Sequence, residues 1–253
     1  MTHGVSDALV ERLAPRTGEA LLDLACGLGD PALALAARVG PTGRVVASDV
    51  VPEMLQALQA HDTGRLLQLV ECAGEQPAFA DHSFDGLSCR FGVMFLDKPV
   101  DTFREWRRIL RPGGRVAIAV WGAPERNPYF SVVGEALDRH DAAPSKLPNN
   151  GRGIFDYAEP GRLSEILSSA GFREVDEGPL PFFMELPDVQ PHELLDAQRQ
   201  LSPLIAERSA SLDRPTLERV AHSVAERVTA WRDAAGTGLA LPAEAQIVCA
   251  RRG

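Results

Sequence analysis

The chain has 253 residues, 45% of them hydrophobic, enough to bury the core of one large α/β domain. Its 35 acidic residues against 26 Lys and Arg leave a formal charge of −9, which offers no basic footprint for a phosphate backbone and disfavours a nucleic-acid substrate. The start "MTHGVSDALVERL" lacks the basic and apolar segments of a signal peptide, and no apolar run approaches the about eighteen residues of a membrane span, so the expectation is a cytoplasmic protein.

Val5, Leu9, Val10 and Leu13 share one helical face, and Pro15 with Gly18 closes that segment. "ALLDLACG" is short, apolar on both faces and bounded by glycine, the pattern of a buried parallel strand. A helix is predicted over 31–39, a second strand at "RVVASD", and a helix beginning at Pro52 with Met54, Leu55 and Leu58 inward. "RLLQLVECA" and "FDGLSCRFGV" give strands three and four. "PVDTFREWRRILRPGGR" reads as an amphipathic helix stopped by a Pro-Gly-Gly turn, and "RVAIAVWG" as strand five. Such alternation defines an α/β fold with a parallel sheet covered by helices.

The second half is less regular. A helix is expected over 127–140, a loop over 141–157 and a helix over 159–170. "FREVDEGPLPFFMEL" then reads as a strand interrupted by prolines, followed by two long helical stretches, 191–209 and 214–235. "AEAQIVCARR" closes the chain as a strand suited to an edge hairpin. Cys26, Cys72, Cys89 and Cys249 show neither Cys-x-x-Cys nor zinc spacing, so they are expected to be reduced thiols, with no metal site.

Ligands of open parallel sheets sit beyond the strands' carboxyl ends, and strand one is the usual place. Gly27 and Gly29 remove side chains there, which would let backbone amides approach a ligand. Asp49, ending strand two, can accept hydrogen bonds from a ribose diol. "GLGDPA" also fits the loose dinucleotide fingerprint, which alone is weak. Asp23, inside strand one, suits a ligand with a cationic amino group better than a pyrophosphate.

At this point the sequence resembles a known family. "LLDLACGLGD", "VVASDVVPEML", "AFADHSFDGLSCRFGVMFLDKP" and "EWRRILRPGGRVAIAVWG" look like the successive motifs of class I S-adenosylmethionine-dependent methyltransferases, most of all the ubiquinone and menaquinone C-methyltransferase type and related small-molecule enzymes. The resemblance is dense over 21–122 and looser over 155–177 and the final strand. It implies a Rossmann-like sheet in the order 3-2-1-4-5-7-6 with strand seven antiparallel. It further implies a single methyltransferase domain over 1–253, with a cofactor-binding core of 1–125, 152–186 and 237–253 and a helical cap of 126–151 and 187–236.

Carried over residue by residue, Asp23 and the backbone of Ala25, Cys26, Gly27 and Gly29 would hold the methionine end of S-adenosylmethionine, Asp49 its ribose, and Val50 and Met54 its adenine. The family's acid-Ala-Glu motif after strand three reads Ala73-Gly74-Glu75 here, so the acid is replaced by alanine and the adenine edge is left to Gly74 and Glu75. Arg90 and Phe91 would border the sulfonium. Among aromatics that could line an apolar acceptor site (Phe95, Trp121, Phe130, Phe155, Phe182 and Phe183), Phe95, Trp121 and Phe155 are selected, Trp121 because it ends strand five. A base, where the acceptor needs one, is assigned to His140 beside Asp141. Cys26 is read as a small turn residue rather than a nucleophile.

The expected function is methyl transfer to an oxygen or carbon of a small, largely apolar molecule in biosynthesis. The alternatives are the same fold using bound S-adenosylmethionine for pericyclic or decarboxylative chemistry, and a nicotinamide-dependent oxidoreductase. The helices over 191–235 serve as a lid or a homodimer surface.

Overall fold

The computed structural model describes residues 2–140 and 153–253; most of the loop expected over 141–157, with Asp141, lies outside them. The chain runs α1 (His3–Leu13), β1 (Ala20–Leu24), α2 (Ala32–Val39), β2 (Arg44–Asp49), α3 (Pro52–His61), β3 (Leu67–Glu71), β4 (Phe84–Arg90), α4 (Pro99–Ile109) and β5 (Leu110–Trp121). It continues through α5 (Pro128–His140), α6 (Arg162–Ser169), β6 (Phe172–Leu186), α7 (Leu194–Leu201), α8 (Pro203–Ala210), α9 (Arg214–Val228) and β7 (Leu239–Arg252).

The sheet has seven strands in the order β3-β2-β1-β4-β5-β7-β6. The pairs from β3 to β5 are parallel and β7 is antiparallel to β5, the arrangement that the family resemblance implied. Parallel neighbours need crossovers, and α2, α3 and α4 supply them while packing on the strands they connect. β1 lies at the centre of the parallel part with all five residues buried, which explains its unbroken apolar run and makes the acid at Asp23 conspicuous.

Three elements differ from the sequence expectation. The fourth helix ends at Ile109, and the Pro-Gly-Gly segment lies inside β5 rather than in a turn. Gly113 takes a φ of +74° there, and the β4 register shifts between Phe84 and Gly86, so the segment forms a bulged strand start. β6 runs uninterrupted through Pro179 and Pro181 because it is an edge strand, where one row of amides needs no partner. The stretch expected as one helix over 191–209 breaks at Ser202, whose hydroxyl accepts from the Ile205 amide to start α8.

Two compact units divide the described chain. The sheet unit comprises His3–Trp121, Ile154–Leu180 and Ala245–Gly253; the helical unit comprises Met1–Thr2, Gly122–Gly153 and Pro181–Glu244. The helical unit has its own core, with Val220, Val224 and Val228 of α9 among its buried residues together with Val132, Val133 and Leu137 of α5. Among the described residues no helix is long and apolar enough to cross a membrane.

Candidate active site

The bend after β1 brings two strands together. In register, Asp23 pairs with Ala47 of β2 and Ser88 of β4, and Leu24 pairs with Ser48. Side chains alternate along a strand, so Asp49 and Arg90, each two residues further on, share the face of Asp23 at the carboxyl edge. The Cys26 amide donates to the Ser48 carbonyl at 3.0 Å and the Gly27 amide to Asp49 Oδ2 at 2.9 Å, while Asp49 Oδ1 accepts from Val51 at 3.0 Å. One carboxylate therefore clamps the bend of β1 to the end of β2.

The two glycines do different work. At Gly27, with φ +50°, an added Cβ would meet nothing within 4 Å, so the bend opens onto free space. At Gly29, with φ +92°, a Cβ would lie 2.3 Å from Leu58 Cδ1 of α3, so this glycine lets helix and bend pack closely. Both spend their own amides inside the protein: Gly27 gives its amide to Asp49, and Gly29 donates to the Cys26 carbonyl at 2.8 Å. What the bend leaves for a ligand is space, together with carboxylate and carbonyl acceptors, which suits a cationic group better than an anion.

Asp23 is fully buried. Ser88 Oγ donates to its Oδ1 at 2.5 Å, while Oδ2 has no hydrogen-bond partner. Burial drives its carboxyl up from 3.8 to about 7, against the Ser88 bond and the Arg90 charge, which lower it. Cys26 is buried beside both acids, and burial with the Asp23 and Asp49 charges pushes its thiol far up, so it stays protonated and is no nucleophile.

A cavity of about 410 Å³ lies at the carboxyl edge within the sheet unit, a size suited to a nucleoside-sized ligand. Ala25, Asp49, Val50, Gly74, Glu75, Arg90, Phe91 and Phe95 of the sequence-selected residues line it, together with Leu24, Val51, Cys72, Ala73, Cys89, Gly92, Leu96 and Trp106, which sequence reasoning did not select. Trp106 is a buried residue on the apolar side of α4, yet its Nε1 donates to the Gly74 carbonyl at 2.8 Å and so fixes the Ala73-Gly74-Glu75 turn. Glu75 in turn accepts from the Asp97 amide at 3.4 Å. Leu28, Val50, Val51, Met54 and Phe95 are all exposed large apolar residues, and Phe95 reaches 72%. Of these, Val50, Val51 and Phe95 line the cavity and Leu28 lies between the two glycines of the bend.

Trp121 stacks on Phe91 with centroids 4.0 Å apart and an 11° interplanar angle, backing a cavity residue from outside the lining set. Arg90 sits 6.0 Å from the Phe91 ring and 3.5 Å from Asp30, which also faces His3 at 3.1 Å. Phe155 is half-buried in the sheet unit. His140 ends α5 in the helical unit, where its Nε2 lies 3.1 Å from Ser223 Oγ of α9.

A seven-stranded sheet with an antiparallel penultimate strand, a glycine bend after β1 and an acid ending β2 defines the class I methyltransferase architecture. Residues 22–118 match the methyltransferase domain family. The chain is 35% identical over 133 residues to the ubiquinone/menaquinone biosynthesis C-methyltransferase UbiE of Hahella chejuensis, covering 51% of this chain and 52% of that one. It is 32% identical over 185 residues to the nocamycin O-methyltransferase of Saccharothrix syringae, covering 68% and 66%. These alignments thus span about half to two thirds of the relatives' lengths. In fold it is similar to a phosphoethanolamine N-methyltransferase of Haemonchus contortus solved with S-adenosylhomocysteine, at a TM-score of 0.57 and 18% identity, covering 98% of this chain and 52% of that one. The chain belongs to the class I S-adenosylmethionine-dependent methyltransferases.

Proposed function

We propose that this protein transfers a methyl group from S-adenosylmethionine to an oxygen or carbon of a small, largely apolar acceptor in a biosynthetic pathway. The observation that carries this reading is the cavity of about 410 Å³ whose wall includes Asp49, the residue that clamps the open bend at Gly27. The Hahella and Saccharothrix relatives are named for carbon and oxygen methylation respectively, which supports the acceptor class, and the Haemonchus structure holds the demethylated cofactor in the same fold.

Bound S-adenosylmethionine supplies an electrophilic methyl group on a sulfonium. In-line displacement then asks the protein mainly to hold donor and acceptor at attack distance away from water. Each Asp49 oxygen accepts one amide and keeps acceptor capacity for a ribose hydroxyl, so the carboxylate is oriented before the ligand arrives. Val50 and Met54 flank the adenine, with Gly74 and Glu75 at its edge. Ala25, Cys26, Gly27 and Gly29 surround the methionine end, and the unpartnered Oδ2 of Asp23 supplies buried negative charge toward its ammonium. Arg90 and Phe91 border the sulfonium; Phe95, Trp121 and Phe155 serve the acceptor. The acidic net charge favours a small-molecule partner over nucleic acid.

Calorimetric titration with S-adenosylhomocysteine and with NAD tests the cofactor, and only the first is expected to bind. Incubation with methyl-labelled donor and a panel of phenolic and acidic-carbon acceptors tests the reaction. Label in the product supports methyl transfer, whereas product without label assigns the site to non-methylating chemistry. For an acceptor that must lose a proton, a base at His140 predicts that His140→Gln lowers kcat by about 10²–10⁴-fold at unchanged cofactor affinity. Unchanged kcat leaves His140 with its Ser223 contact alone.

A further inference from the structure

We infer that Phe91, backed by Trp121, reads the charge of the bound cofactor: its ring favours the sulfonium donor over the neutral thioether product, so that methyl transfer itself loosens the product. The inference rests on the methyltransferase reading above and deepens it to one wall of the site.

The wall is rigidly built. Phe91 has a φ of +56°, a left-handed conformation that a bulky residue keeps only where its surroundings over-determine it. Its amide donates to the Ala119 carbonyl at 2.8 Å. At the next residue, Gly92, an added Cβ would fall 2.6 Å from Ala25 Cβ and 2.7 Å from Cys89 Sγ, so the backbone behind the ring has no room to shift. Trp121 covers one face of the ring in a stack with centroids 4.0 Å apart, and Phe91 is one of the residues that line the cavity. Such strain and support are far more than an apolar lining requires.

Position gives the wall its role. With the ribose at Asp49 of β2, the cofactor sulfur lies one carbon beyond the ribose ring, and the strands that follow β2 in the sheet are β1 and β4. β4 ends at Arg90, directly before Phe91. The face of an aromatic ring carries negative electrostatic potential and attracts a cation, and the effect grows where water is excluded. The Arg90 guanidinium lies 6.0 Å from the same ring, where alone it would repel a sulfonium, and Asp30 at 3.5 Å counters its charge. S-adenosylmethionine and S-adenosylhomocysteine differ only by the methyl group and the charge it confers, so a wall that senses charge separates them and one that merely packs does not.

The test measures dissociation constants for both ligands by calorimetry on the wild type, Phe91→Leu, Phe91→Tyr and Trp121→Leu. Leucine keeps apolar contact with the methyl group but removes the ring. Phe91→Leu is expected to weaken S-adenosylmethionine about 3- to 30-fold while S-adenosylhomocysteine stays within about twofold. Phe91→Tyr should retain the wild-type ratio, and Trp121→Leu should shift it in the direction of Phe91→Leu by less. Equal weakening of both ligands, or an unchanged ratio, in Phe91→Leu overturns the inference while the cofactor site stands. Should Phe91→Leu fail to fold, the ratio in Trp121→Leu decides by the same criterion. A wild type that binds neither ligand overturns the methyltransferase reading instead.

Discussion

The sheet unit and the helical unit constrain their sequences differently. In β1 every residue is buried between neighbours, so each position accepts a narrow set of side chains and any departure stands out. Asp23 is such a departure, and so is the pair Gly27 and Gly29 at the strand's end. In α9 the buried residues Val220, Val224 and Val228 recur every fourth position with Leu217 and Ala221 packed beside them, while Glu218, Arg219, His222 and Glu226 are exposed, where many residue types serve equally. Function is legible where burial leaves little freedom, because only there does an unusual residue demand an explanation.

The largest expected effect lies at the most constrained position. In the unfolded chain the Asp23 carboxyl ionises near 3.8, and in the fold near 7, so folding takes up a proton between those values. Its contribution to stability is therefore complete below about pH 4, declines as pH rises toward 7, and is lost above that, a difference of about 4 kcal/mol. Asp23→Asn removes the ionisation. The ligand-free variant should exceed the wild type in stability by up to about that amount at about pH 8, and by less than about 1 kcal/mol at about pH 4. Urea unfolding at both values checks this, and a difference that does not change with pH would mean that Asp23 stays ionised in the fold.

The two glycines sharpen the comparison inside the sheet unit. Gly29→Ala drives a methyl group into Leu58 and should cost about 1–3 kcal/mol of stability. Gly27→Ala meets open space, so its cost is the left-handed backbone alone, about 1 kcal/mol, while its methyl group enters the ligand's room. Cofactor affinity should therefore fall more in the Gly27 variant and stability more in the Gly29 variant. Calorimetric binding and thermal unfolding on both proteins would expose a failure of that crossing.

The same distinction explains what the sequence did and did not reveal. The alternation of strands and helices revealed a parallel sheet, while the strand order came only from the resemblance of four successive motifs to a known family. The β4–β5 bulge was hidden, since Pro112, Gly113 and Gly114 signal a break without saying whether it falls in a turn or a strand. The prolines of β6 misled for a related reason: position at a sheet edge, which no local pattern encodes, decides whether proline interrupts a strand. Of the residues lining the cavity, Asp49 was selected from its place at the end of strand two and Ala25 and Phe91 through the family resemblance alone, whereas the Trp106 bond to Gly74 joins residues 32 apart and reads locally as one more apolar position on a helix. The stack of Trp121 on Phe91 was equally silent, although each residue was singled out for itself.

Two smaller effects separate binding from architecture. Asp49→Ala removes the acceptor of the Gly27 and Val51 amides and the proposed ribose partner, and should weaken S-adenosylhomocysteine about 10- to 100-fold. Unchanged affinity would place the ribose elsewhere. Ser202→Ala in the helical unit removes the hydroxyl that caps α8 at Ile205 and should lower stability by about 1 kcal/mol. Cofactor affinity should remain within about twofold, because every residue assigned to the cofactor lies in the sheet unit and the capped helix does not. A fall in affinity matching that of Asp49→Ala would show that the helical unit contributes to binding, and the contrast between a reading unit and a supporting one would then have to be redrawn.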